Sequence, residues 1–289
     1  MRLRAGSGVL GVVVRHPMGR AGLAILALFA AMAILAPVLA PYNPWEIVAM
    51  PFQPPSREHP LGTNDMGQDL LSELLYGARV SLSIGIIAAF TATVVGVAAG
   101  LLAGYYGGAL DRVVTGIVDV FLLMPALPLM LVLSAFIGPG YFTIIFVIVL
   151  ISWPPVARMM RAQALSLRER PYVEAARALG AGNARILLHH ILPNVGPLAL
   201  ALAVLMIGEA MILEASLSFL GLGDPTKKSW GMMLYWAFQT GAFSYGAWWW
   251  IVPPGVCIAL SVFGFALLGY AIEEYANPRL RTSGGEQYG

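Results

Sequence analysis

Six long apolar stretches separated by polar segments dominate the pattern along the chain. They run Ala21–Ala40, about Val80–Gly104, about Val113–Ile137, Tyr141 to about Ala157, about Val195–Leu220 and about Trp248–Ile272. A bilayer core of about 30 Å needs roughly 20 apolar residues in helical form. Lipid offers no partners to backbone N–H and C=O groups, so each stretch is expected to be a helix. The fourth is short for a full crossing. The pattern therefore predicts an all-α membrane protein with about six transmembrane helices.

Composition supports lipid as the solvent. The chain is 58% hydrophobic, has a mean hydropathy of +0.76 and carries only 11% charged residues. A soluble domain carries about 25%. A net charge of +2 is too small to suggest a nucleic-acid partner. Cys257 stands alone in an apolar run, which excludes a disulfide framework and reads as a small buried hydrophobe. The first stretch follows Arg2, Arg4, Arg15 and Arg20, as a signal peptide would. It is longer than the usual 7–15 residues, however, and Pro41 would follow the cut, so it reads as a retained span.

Lysine and arginine set the orientation. With the N-terminus inside, the inner segments hold thirteen of the 17 basic residues: those four with Arg112, Arg158, Arg161, Arg168, Arg170, Arg177, Arg185, Arg279 and Arg281. Arg57, Arg79, Lys227 and Lys228 fall outside. Both termini are expected in the cytoplasm, with Trp248, Trp249 and Trp250 as an outer aromatic anchor. The chain then divides into an N-terminus and first helix (1–40), an outer loop (41–78), a five-helix core (79–272) and a C-terminal tail (273–289). The outer loop begins proline-rich and then reads as a short amphipathic helix, Asp69–Tyr76. The core includes a basic cytoplasmic loop, 158–193. The long outer loop would leave the first span peripheral.

Gly96, Gly100 and Gly104 share one helix face and allow a second backbone close, within this subunit or in another. The cytoplasmic loop is more specific. Pro171 suits the first turn of a helix and Gly180 its end. The residues from Pro171 to Leu179 would make a rod of about 13 Å, kept slim by Ala175, Ala176 and Ala178. Glu174 favours the N-terminal dipole. Asn183 can start a second helix, which Pro193 would limit at the membrane surface. A slim helix on a rigid elbow suits a groove on a soluble partner. The plainer reading is a basic loop held near anionic lipid.

Glu174-Ala175-Ala176, three residues, Gly180 and then Leu192-Pro193 resembles the EAA loop of bacterial ABC-importer permeases. His190 stands where that loop usually has isoleucine. His59–Gly85 resembles the outer-loop signature of the C-type dipeptide, oligopeptide and nickel permeases, and Glu214–Gly231 their segment after the fifth span. RHPMGRAGLAIL and Asn277–Arg281 are similar too, so the resemblance spans nearly the whole chain. It implies a type I importer architecture in the cell membrane. A second, B-type permease would share the path. Two ATPase subunits would each grip one EAA loop as a coupling helix, here Glu174, Ala175, Ala176, Arg177, Leu179 and Gly180. An extracytoplasmic substrate-binding protein would deliver a peptide, nickel chelate or oligosaccharide. ATP and magnesium would be bound by the partner ATPases and no cofactor by this chain, which has no G-x-x-x-x-G-K-[ST] loop.

Ionisable groups in a membrane usually face protein or a water-filled cavity. Asp119, Glu209, Glu214 and Ser134 are therefore candidates for the solute path. A peptide's amino terminus would need such an acceptor. The alternative is that the acids bridge helices, the reading favoured for Glu214. Arg158 and Arg161 read as snorkelling to the inner headgroups. His189 and His190 read as loop-packing residues, with no third ligand at metal spacing. Two other classes compete. Gly221-Leu222-Gly223-Asp224 matches an aspartyl-protease pattern, but that chemistry needs two carboxylates together in the membrane, and Asp224 begins a polar turn. An ion-coupled transporter working without an ATPase could use Asp119 and Glu209 for protons, although such folds often show internal repeats.

Overall fold

A computed structural model describes residue 11 and residues 13–276. The basic residues Arg2 and Arg4 and the Asn277–Arg281 segment lie outside them. The described chain is helical; its β pairing is limited to isolated bridges, Ile47 with Gln68 and Thr63 with Asp69. Five helices are long and apolar enough to cross a membrane, or six when one bent pair counts as a span.

Helix α1 (Pro17–Leu39) leads to a loop and then α2 (Leu70–Tyr106). The carboxylate of Asp69 caps α2, accepting from the Ser72 N–H at 2.8 Å and the Ser72 hydroxyl at 2.7 Å. No proline interrupts the chain from there to Tyr106. The expected short helix at 69–76 is therefore the first part of one 37-residue rod, about 55 Å long.

Around α2 the other elements pack. Its glycine face meets α5 (Tyr141–Arg168) of the same subunit, which decides between the two packings open to it. A Cβ at Gly96 would stand 2.6 Å from Val156 Cβ, at Gly100 2.3 Å from the Ala157 carbonyl oxygen, and at Gly104 2.6 Å from that of Arg161. Helix α5 does not stop where its apolar stretch ends. It continues to Arg168, so the first part of the expected 158–193 loop is helix.

Before α5 lies a sharp break. The third apolar stretch forms α3 (Gly108–Leu123) and α4 (Ala126–Ile137), bent by 96° rather than running as one rod. Met124 precedes Pro125 and is extended (φ −84°, ψ 137°). The ring of a proline disfavours helical geometry in the residue before it, which is why the stretch breaks here.

Beyond α5 come α6 (Pro171–Ala178) and α7 (Asn183–Ile186), then α8 (Leu192–Leu217). Pro193 does not end a helix. It sits in the first turn of α8, and a π turn over Leu187–Ile191 joins α7 to α8. There the Leu192 N–H reaches back five residues to the Leu187 carbonyl. The side-chain amide of Asn194 donates to the carbonyl of His190 at 2.6 Å. After α8 the chain passes through Ser218–Leu222, kinked at Gly221, which is left-handed (φ 84°).

Helices α9 (Trp230–Gln239) and α10 (Trp248–Ala276) close the bundle. Helix α1 is peripheral yet rests on its own subunit: Gly22 lies against the backbone of Gly264 in α10, and Phe29 sets its ring edge-on to Trp230 at 5.6 Å. The tryptophan triplet splits. Trp248 is exposed as an anchor should be, but Trp250 is buried against Phe52, because successive helical positions point 100° apart.

Gly100→Leu is expected to force α2 from α5 and to lower the melting temperature of the purified protein in detergent, at a cost of about 1–3 kcal/mol. Gly116→Ala, where a Cβ meets open space inside α3, is the control that should not lower it.

Candidate functional site

The elbow is built by local rules. Pro171 begins α6, with Glu174 in its first turn and Arg177 in its last. At the far end Gly180 adopts φ +83°, a left-handed conformation that favours glycine. Its N–H bonds to the Arg177 carbonyl, and the N–H of Ala181 to that of Ala176, both at 3.0 Å. Together these close the helix with paired reverse bonds.

Apolar contacts hold the elbow on the bundle. Val173, Ile186, Leu187 and Ile191 are buried in the same cluster as the α2–α5 interior. Asn183 starts α7 as expected, although Gly182 holds the capping position and the Asn183 side chain makes no cap. It accepts a hydrogen bond from the Tyr105 hydroxyl at 2.9 Å and ties the elbow to α2. Arg168 donates to the Gly104 carbonyl at 3.1 Å. On the outward side Glu174, Ala175, Arg177 and Gly180 are exposed, Ala176 is half-buried, and Leu179 is 89% exposed. His190 packs near the Tyr172 ring, in keeping with a loop-packing role.

A cavity of about 380 Å³ opens between the α3–α4 break, α5 and α8. Phe121, Met124, Ser152, Met159 and Met206 line it, and Glu209 is its one ionisable side chain among the described residues. The other candidates lie elsewhere. Asp119 pairs with Arg158 at 2.5 Å, both half exposed. Asp111 takes two N–H groups from Arg161. The two arginines thus bridge α5 to α3, a role that snorkelling did not anticipate. Ser134 is fully buried and its hydroxyl has no partner among the described residues. Glu214 is 1% exposed and accepts from Ser81 at 3.2 Å and Ser218 at 2.9 Å. Ser81 also accepts the Trp230 N–H, so Glu214 links α2, α8 and α9, the structural role favoured for it.

At the end of the bundle away from α6 lies a polar clasp that joins the His59–Gly85 and Glu214–Gly231 segments. The ammonium of Lys228 contacts Glu73 at 2.6 Å and Gln68 at 2.7 Å, and Asn64 donates to Glu73 at 2.8 Å. His59 lies 3.0 Å from Asp69. Both segments stand out in the sequence by resemblance, but nothing in it pairs Lys228 with Glu73. Burial raises the Asp65 carboxyl above its ordinary value, with Lys228 opposing. For Asp224 burial also acts upward, but hydrogen bonds led by the Thr226 hydroxyl and N–H outweigh it and hold the carboxyl below its ordinary value. Asp224 is a turn-former here.

The bundle is thus broken at one helix and bears an elbow at one end. Two solved structures titled as inward-facing conformations of the MetNI methionine ABC transporter share its fold, with TM-scores of 0.54 and 0.55. Each covers 74% of this chain and 97% of its own, at 22% and 21% identity. The family model described as the binding-protein-dependent transport system inner membrane component matches residues 96–282, and that of the N-terminal domain of oligopeptide transport permease C matches residues 11–55. A putative peptide transport system permease protein of Brucella abortus is 38% identical, covering 94% of this chain and 91% of its own. The dipeptide permease DppC of Alkalihalophilus pseudofirmus is 35% identical (93% and 88%), and the oligopeptide permease OppC of Bacillus subtilis 35% (92% and 87%).

The chain belongs to the family of binding-protein-dependent inner-membrane transport components. It is a permease subunit of an ATP-driven importer and a multi-pass protein of the cell membrane, a transport component rather than an enzyme. Membership implies a second permease and ATPase subunits.

Removing one member of a buried ion pair strands the other. Lys228→Met is expected to lower stability in detergent by about 3 kcal/mol. The double variant Glu73→Gln with Lys228→Met should recover a large part of it, measured as melting temperature.

Proposed function

We propose that this chain is the C-type permease of a di- or oligopeptide importer, joined to a B-type permease and driven by two ATPase subunits that bind ATP and magnesium. Both termini face the cytoplasm. An extracytoplasmic binding protein supplies the solute. The names of the curated relatives support the peptide assignment. The observation that carries the coupling role is the elbow: a short helix rooted in the core through Val173, with Glu174, Ala175, Arg177, Leu179 and Gly180 facing outward.

The exposed Leu179, an apolar side chain beside two charged ones, suits a groove on an ATPase better than it suits water. Force applied to α6 passes into α7 and, through the π turn, into α8. Glu209 lies on α8 and faces the cavity. A single carboxylate among methionines suits an ammonium terminus followed by varied side chains, since the unbranched thioethers adapt to different shapes.

Gly180→Asp is expected to leave the complex assembled and its ATPase active while uptake into proteoliposomes falls to background. Normal uptake by that variant would remove the coupling role. For Glu209→Gln, uptake of peptides with a free amino terminus should fall roughly 10- to 100-fold, the worth of a hydrogen bond to a charged group. N-acetylated peptides should be little affected; an equal loss for both would exclude Glu209 as the ammonium acceptor.

A further inference from the structure

A second cavity, of about 350 Å³, lies at the end of the bundle away from α6. It is bounded by Trp45, Tyr76, Arg79, Thr226, Lys227 and Lys228, which brings together three of the four basic residues assigned to that side. Lys228 is engaged by Glu73 and Gln68 and serves to hold the 224–229 turn in place. Arg79 and Lys227 are different. Neither is in an ion pair among the described residues. Arg79 lies 5.9 Å from the centre of the Tyr76 ring and Lys227 4.7 Å from that of Tyr141. Asp224, the carboxylate nearest Lys227 in sequence, is hydrogen-bonded through one oxygen by the N–H and hydroxyl of Thr226 and feels the Lys227 charge without forming an ion pair with it.

Arg79 is also the last charged residue before the apolar run of α2. Below it on the same helix face stand Ile86, Phe90 and Val94, exposed by 45%, 67% and 52%. From Arg79 to Phe90 the helix rises about 16 Å, close to half of a hydrocarbon core of about 30 Å. Cations at headgroup level above an uncovered apolar stripe one leaflet deep match the shape and charge of a lipid. Trp45, edge-on to Tyr76 at 5.8 Å, adds the aromatic lining typical of the interface.

We propose that Arg79 and Lys227 hold the phosphate of an anionic phospholipid whose acyl chain lies along Ile86, Phe90 and Val94. The lipid belongs to the leaflet opposite the elbow. The site needs no particular transported solute and so stands apart from the peptide assignment.

The test uses the full-length chain purified with its partner subunits. Retention of phosphatidylglycerol and of phosphatidylcholine is compared by native mass spectrometry. Arg79→Gln and Lys227→Gln should each reduce bound phosphatidylglycerol about fivefold, the worth of one cation near an anionic surface. Bound phosphatidylcholine should be unchanged. Arg79→Lys should retain the lipid, and Phe90→Ala should loosen it without altering charge. Each variant is checked for the parent melting temperature, and Phe90→Ala, expected to lose phosphatidylglycerol with both cations in place, carries the comparison if the glutamine variants assemble poorly. Unchanged phosphatidylglycerol in the glutamine variants would overturn the proposal, as would an equal loss of both lipids. Displacement by soluble glycerol phosphate as effective as by phosphatidylglycerol would reduce the pocket to an anion site. A photo-cross-linker at position 86, which is exposed, that captures a partner subunit rather than lipid would overturn the proposal.

Discussion

The contact between α2 and α5 brings the backbone of α2 directly against the main chain and Cβ atoms of α5. At Gly96, Gly100 and Gly104 the main chain of α5 lies where a Cβ would be. In lipid there is little hydrophobic drive between helices, because the solvent is as apolar as the side chains. Close packing must supply the association, and small residues permit it. The position of α5 against this face sets where Arg168 leaves the bundle, and therefore where α6 is presented. The same placement brings Arg158 and Arg161 to the acids of α3.

Charge inside the bundle is distributed by a simple rule. A carboxylate that can find donors from neighbouring helices becomes part of the framework, as Glu214 and Glu73 have done. A carboxylate whose surroundings offer none must face water or a solute, since the cost of burying it alone is several kcal/mol. Glu209 is in the second position. Its cavity is lined by apolar side chains, Met124, Met159 and Met206 among them, and among the described residues the lining offers one hydroxyl, that of Ser152, and no cation. The difference between these acids lies in their neighbours, not in their depth along the chain.

Helix α8 ties the two ends of the molecule together. It is preceded by a π turn over Leu187–Ile191 and ends in the segment Ser218–Leu222, where Gly221 turns left-handed (φ 84°) and interrupts the helical backbone. A π turn adds a residue to the helical register without breaking the backbone hydrogen-bond chain, and it often marks a functional position. At one end the chain runs into the elbow, and at the other into the turn containing Asp224 and Lys228. Glu209 stands between them on the face toward the cavity.

Much of this was legible in the residues alone. Apolar run length gave the spans because the bilayer has a fixed thickness, and Pro171 with Gly180 gave the elbow because those residues have fixed local preferences. The EAA pattern gave the family. Local signals could not say that the third run would fold back by 96°, although Pro125 was in view, because a proline can kink a helix or end it depending on what receives the freed backbone groups. Nor could they separate Asp119, Glu209, Glu214 and Ser134, which look alike as polar residues in apolar runs. Their partners, Arg158, Ser81 and Ser218, are supplied largely by other helices far away in the chain. The clasp of Lys228 on Glu73 joins residues separated by 155 positions. The order of residues determined each element from its immediate neighbours and from the thickness of the membrane. Which polar groups were neutralised and which were left open was decided only when the helices packed, because a charge is answered by whatever lies within a few ångströms in space.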